Sequence, residues 1–221
     1  MTTNSKASLA VILGSLAGLV TMSLHPTGGE IAANIAGGGH GTLNRIVHSL
    51  ALLAQPLILM GALALTLRFT AQRALAVAAY IVFAWASVAI MIATTASGFI
   101  ATGLLEAGVN QQGTARDVVN NALHYTGLLN HAFAKVYIAF SSLAIVLWSV
   151  AMIRESDFSR GLAGYGIISG TVFLVGILSG HLGVTMHGFG SVVLGQAIWL
   201  IWMALILRRI PERSAPFSSD V

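Results

Sequence analysis

Residues 74–103 read ALAVAAYIVFAWASVAIMIATTASGFIATG, with no Asp, Glu, Lys, Arg or His anywhere in the run. An α-helix rises ~1.5 Å per residue, so about 20 such residues already cross a ~30 Å hydrocarbon layer. In lipid the backbone of such a run must satisfy its own hydrogen bonds, and a helix does so within the segment. The stretch therefore reads as a membrane-spanning helix. Outward from it, apolar segments recur at about 7–25, 46–67, 129–153, 161–181 and 188–207, each bounded by Lys or Arg, Gly, Pro or a polar cluster. The predicted fold is all-α: a polytopic integral membrane protein with six transmembrane helices in a bundle, and residues 1–221 as a single transmembrane domain.

Composition agrees. Of 221 residues, 56% are hydrophobic and 8% are charged, against about 25% charged in an ordinary soluble domain. Mean hydropathy is +0.85. A water-soluble fold is excluded, and the spans leave no length for a second domain. The 11 Lys and Arg outnumber the 7 Asp and Glu, but they sit at span ends, which argues for membrane orientation and against nucleic-acid binding. Cysteine is absent, which removes thiolate metal sites, iron–sulfur clusters and cysteine nucleophiles. The first span is longer than the apolar core of a signal peptide and lacks a prompt small-residue cleavage site, so it reads as retained.

Six spans put Lys6, Arg68, Arg73, Arg154, Arg160, Arg208, Arg209 and Arg213 on one side and only Arg45 and Arg116 on the other, with Lys135 inside the fourth span. The positive-inside rule then predicts both termini in the cytoplasm, as in a bacterial inner membrane. Glycines at 14 and 18 in the first span, and at 166, 170, 176, 180 and 183 in the fifth, predict close helix packing. Pro56 removes a backbone donor inside the second span and predicts a kink.

All seven histidines, at 25, 40, 48, 124, 131, 181 and 187, fall on the extracytoplasmic half of that topology. Counted from the basic residue at the far end of each span, His25 is 19 residues from Lys6, His48 is 20 from Arg68, His181 is 21 from Arg160, His187 is 21 from Arg208 and His131 is 23 from Arg154. These counts correspond to about 28–35 Å. Imidazoles from five spans are thus expected in one layer at the outer boundary, gathered into one chamber. Asp117, Asn120, His124, His131, Lys135 and Ser142 follow helical spacing, as do Asn44, His48 and Gln55, and both stripes are expected to face the bundle interior.

The expected chemistry is metal or haem binding for redox or electron transfer. The candidate metal ligands are His25, His48, His131, His181 and His187, with Met22 and Met186 as soft additions that favour copper. Haem b is the other cofactor the pattern suits: His48 and His131 would be axial ligands, with Arg45 and Lys135 neutralising the propionates. Zinc would point instead to a membrane hydrolase acting on lipid, with Glu106 or Asp117 as base. A proton-coupled or small-molecule transporter and a non-catalytic scaffold are the remaining classes. Against transport stands the near absence of polar residues in the cytoplasmic halves of the spans. The partners expected are membrane lipid and a redox partner or quinone.

Overall fold

A computed structural model describes residues 3–155 and 158–210; Arg213, one of the residues used for orientation, lies outside them. The described residues form helices and no strand, and six helices are long and apolar enough to cross a membrane. They are α1 (Thr3–Leu24), α3 (Thr42–Thr66), α4 (Arg73–Thr95), α6 (Gly113–Ile153), α7 (Arg160–Leu178) and α8 (Met186–Arg209). A short α2 (Gly28–Ala36) lies between α1 and α3, and a π-helical turn (Ala96–Ile100) carries α4 into α5 (Ala101–Gly108).

Each span packs mainly on its neighbours in sequence, α1 on α3, α3 on α4, α4 on α6, α6 on α7 and α7 on α8; α8 then returns to pack on α1. The spans thus form a closed ring. Their outward faces remain apolar, with Leu53, Trp85, Ile168, Val172 and Leu178 all exposed, as a helix solvated by lipid requires. Glycine allows the closest approaches. A Cβ at Gly14 would lie 2.9 Å from the Ala54 carbonyl oxygen, and one at Gly170 would lie 2.9 Å from that of Ser142. Gly18 departs from the expected packing role, because a Cβ there would meet nothing within 4 Å.

The basic ends of the spans enclose the larger of two buried apolar clusters. Trp148 and Trp199 stack with ring centroids 6.0 Å apart, and Phe83 lies 5.5 Å from Trp148. All three are buried, together with Val11, Leu65, Met152, Leu162, Met203 and Leu207. The Trp148 indole N–H donates to Thr66 Oγ1 at 3.1 Å, so this polar handle is satisfied inside the apolar layer. At the same end a Glu155 oxygen accepts from the backbone N–H groups of Thr70 and Ala71, both at 2.9 Å, pinning the α3–α4 turn to the end of α6.

The opposite end, where the histidines fall, is more elaborate than a set of loops. Residues 104–128, expected as a link, are largely helical: α5 runs to Gly108 and α6 begins at Gly113. With 41 residues, α6 is about 60 Å long, twice the hydrocarbon thickness. Its first turns pair with α5 as a hairpin, and α5 also meets the start of α3 through Asn44–Thr102 and Arg45–Glu106. The small helix α2 is fixed by a capping box in which Glu30 N–H donates to Thr27 Oγ1 at 3.3 Å and Thr27 N–H donates to Glu30 Oε2 at 2.7 Å.

Candidate functional site

Where the ring of spans widens toward the histidine end, it encloses a cavity of about 180 Å³ walled by α1, α3, α4, α6, α8 and the segment before α8. The aromatic cluster around Trp148 and Trp199 lies on the basic side of it and fills the bundle there. Among the described residues, no Asp, Glu, Lys or Arg lines the cavity. Ala, Ile, Val, Leu and Phe account for 11 of its 26 lining residues, and its polar side chains are Ser, Thr, Asn, Gln, Tyr and His.

Two histidines meet at its mouth. His25 follows the last residue of α1, and His48 stands almost fully buried on α3. Their rings touch edge to face with centroids 4.8 Å apart. Each ring has Nδ1 against a backbone carbonyl, His25 at 2.9 Å from Pro26 O and His48 at 2.8 Å from Asn44 O. A carbonyl can only accept, so in both rings Nδ1 carries the proton and Nε2 keeps its lone pair. Burial pushes the His25 imidazole below its ordinary range, outweighing the opposite pull of the Pro26 carbonyl. The neutral ring is therefore the favoured form. Met22 and Met186 line the same cavity, so the two thioethers expected beside imidazoles share one space with this histidine pair.

The position of His48 is set by the π turn opposite it. A π turn leaves main-chain carbonyls without their usual helical partners, and Asn44 Nδ2 donates to the Ser97 carbonyl at 3.1 Å and to Thr102 Oγ1 at 2.8 Å. Thr102 in turn donates to the Gly98 carbonyl at 2.8 Å. A Cβ on Gly98 would fall 2.3 Å from His48 Cβ, so only glycine lets the ring lie against this turn. Asn44 thus braces α3 on α4 by its side chain and orients His48 by its carbonyl. Gly41, the residue at the start of α3, adopts φ 56°, which glycine tolerates without strain.

Deeper in the cavity stand Ser15, Gln55, Tyr137 and Gln196. Tyr137 donates its hydroxyl to Gln196 Oε1 at 3.0 Å, and Gln196 Nε2 donates to Ser141 Oγ at 2.7 Å. That side is satisfied. The other is not: Gln55 Oε1 and Ser15 Oγ are buried with no hydrogen-bond partner among the described residues.

The remaining expected ligands lie elsewhere. His131 is exposed on α6, and it is the preceding residue, Asn130, that reaches the cavity. His181 is exposed in the α7–α8 connection, with Nδ1 2.9 Å from Ser179 Oγ. His187 is exposed at the start of α8. The expected chamber of five imidazoles therefore contains two, and among the described residues no three His, Asp or Glu side chains come together as a metal-sized group. Arg45 is engaged by the Glu106 carboxylate and by the His40 carbonyl, 2.8 Å from its guanidinium. Lys135 is exposed on α6.

The stripe expected to turn Asp117, Asn120, His124, His131 and Lys135 inward instead turns them outward, and Ser142 alone of that set is buried. The inward face of α6 runs through Asn130, Ala134, Tyr137 and Ser141. Their spacing of 4, 3 and 4 was an equally helical signal in the sequence, carried by weaker side chains. On α3 the stripe was read in the correct direction, since Asn44, His48 and Gln55 are all buried.

Outside the cavity lies a crevice under α2, lined by Glu30, Asn34, His40 and Asn44 among others; His25 belongs to both spaces. In comparison with known proteins, no family model, curated protein or solved structure matches the chain.

Proposed function

We propose that the chain is a redox protein of the membrane that holds copper at the mouth of the cavity, with His25 and His48 as imidazole ligands through Nε2 and Met22 and Met186 as thioether ligands. One observation carries the reading: two adjacent imidazoles have Nδ1 against backbone carbonyls and Nε2 with no hydrogen-bond partner among the described residues. That is the outer-shell arrangement by which ligating histidines are oriented and kept basic. Thioethers beside them favour Cu(I) over harder ions. The absence of charge in the lining suits an ion delivered and retained in a reduced, low-charge state. The crevice under α2, with Glu30 and His40 in its wall, offers a polar path toward His25.

Copper fits this site better than the other cofactors. Axial imidazoles of haem b stand on opposite faces of a macrocycle, whereas the His25 and His48 rings touch, and His131 is on the outside of α6. A catalytic zinc centre takes three protein ligands and a water, and no such trio is found among the described residues. Transport requires a way through, and the Trp148–Trp199 stack fills the basic half. The positive-inside bias favours placing that half in the cytoplasm of a bacterial inner membrane, so that copper would bind on the opposite side.

The test is copper loading of purified protein under ascorbate against a competing Cu(I) chelator. Wild type should retain one equivalent. His25→Ala and His48→Ala should lose it, Met22→Leu with Met186→Leu should weaken it, and His131→Ala, His181→Ala and His187→Ala should behave as wild type. Copper at background in wild type, or undiminished in His48→Ala, overturns the assignment.

A further inference from the structure

The deep end of the cavity poses a separate question, because it contains a carboxamide with nothing to bond. Gln55 is the fourteenth of 25 residues in α3, which puts it near the middle of the membrane. It is 8% exposed and lines the cavity, and Oε1 has no partner. The hydroxyl of Ser15, on the facing α1, lines the same space and is also unpartnered. An unpaired buried amide costs about 1–3 kcal/mol, and lipid offers it no water. Gln196, which lines the same cavity, is held by Tyr137 and Ser141, so the chain satisfies one glutamine of the cavity and leaves the other open. Gly18, on the cavity wall, leaves open space where a side chain would stand.

We propose that this pocket binds the head group of a p-quinone, with Gln55 as its anchor and Ser15 as a second hydrogen-bonding group; the choice of a redox ligand rests on the copper reading above. A ligand at this depth must be lipid-soluble and uncharged, since no charged side chain lines the space. The whole cavity, its mouth included, measures about 180 Å³, the space of roughly six waters or one substituted six-membered ring. A carboxamide presents both a donor and an acceptor. Nε2–H can donate to a quinone carbonyl, and Oε1 can accept from a quinol hydroxyl, so one residue serves both oxidation states. Ser15 has the same two-way capacity. Phe189 and Tyr137, with ring centroids 5.9 Å apart, supply aromatic wall above the floor.

Binding of 2-decyl-1,4-benzoquinone is measured by equilibrium dialysis on the full chain in detergent, with empty micelles and decylbenzene as controls. Wild type should bind the quinone saturably at one per chain and bind decylbenzene only as micelles do. Gln55→Leu should weaken quinone binding about tenfold, the value of one or two hydrogen bonds, while raising thermal stability because an unpaired amide is gone. Gly18→Leu, whose Cβ would meet nothing within 4 Å and whose side chain would occupy the cavity, should abolish saturable binding. Equal binding of decylbenzene, or unchanged affinity in Gln55→Leu or Gly18→Leu, overturns the proposal. So does a loss of stability in Gln55→Leu, which would mean that the amide is structural. Gln55→Leu lies two helical turns from His48 and should keep its copper, whereas Gly18 stands one turn before Met22, so Gly18→Leu is read for quinone binding alone. Quinone binding in a protein that takes up no copper would refute the metal site alone, and copper uptake without quinone binding would refute this pocket alone.

Discussion

Gly98→Ala is the sharpest probe of how the fold builds the histidine pair. The added Cβ would stand 2.3 Å from His48 Cβ, 2.5 Å from Cγ and 3.0 Å from Cδ2. Ordinary contact begins at 3.4 Å, so the Cβ pair alone demands a separation of 1.1 Å more than the fold provides. His48 Cβ is not the free end of a side chain and cannot swing aside. Either α3 moves off the π turn, stretching the 3.1 Å bond from Asn44 to the Ser97 carbonyl, or the imidazole leaves its place beside His25. Overpacking of this kind costs about 1–3 kcal/mol, and helical propensity returns up to about 1 kcal/mol of it. Gly18→Ala supplies the matched control, since its Cβ meets nothing within 4 Å. Unfolding in mixed micelles titrated with dodecyl sulfate should place Gly98→Ala clearly below wild type and Gly18→Ala at or slightly above it. Cu(I) affinity should fall with Gly98→Ala. If the two alanine variants unfold together and both keep copper, the close approach of the π turn to His48 is not what positions the ring.

Two other outcomes follow from single contacts. Thr66→Val keeps the shape of the side chain but removes the acceptor of the Trp148 indole N–H. Stranding that donor in the apolar core should cost about 1–3 kcal/mol, read in the same micelle titration, and a double change to Thr66→Val with Trp148→Phe should recover part of the loss. For His25, burial holds the imidazole below its ordinary pKa of 6.5. Its contribution to stability is therefore complete above pH 6.5 and is lost as pH falls through the lower folded-state value. Stability measured across that acidic window should decline in wild type and decline less in His25→Ala; equal slopes would remove the buried neutral imidazole from the account.

What could be read along the chain is what depends on local composition. A run such as 74–103 has no alternative in water, and its hydrocarbon-spanning length needs no knowledge of neighbours, so all six spans appear, five of them within about five residues of their expected bounds and the fourth starting 16 residues early, at Gly113. The departures occur where length is set by something other than lipid: residues 104–128 are largely helical because α5 and the first turns of α6 pack on one another. Along α3 the inward face was also legible, because its polar residues at 44, 48 and 55 share a single stripe.

The rotation of the other spans was not. A helix solvated by lipid is apolar on every side, so hydropathy does not say which face turns inward, and one residue of error turns a side chain by about 100°. On α6 that step separates Asn130 in the cavity from His131 outside it. The strongest polar side chains, His131 and Lys135, suggested the wrong face because long amphipathic groups near a span end can reach the interface from an outward position. Histidine depth is a property of sequence distance, but histidine proximity depends on which helices adjoin. The closed ring sets α1 against α3, and the absence of a side chain at Gly98 lets His48 settle there beside His25. Sequence determined that this chain fills a membrane with six helices, whereas only the packing of those helices chose two imidazoles, two thioethers and one unpaired amide to share a cavity.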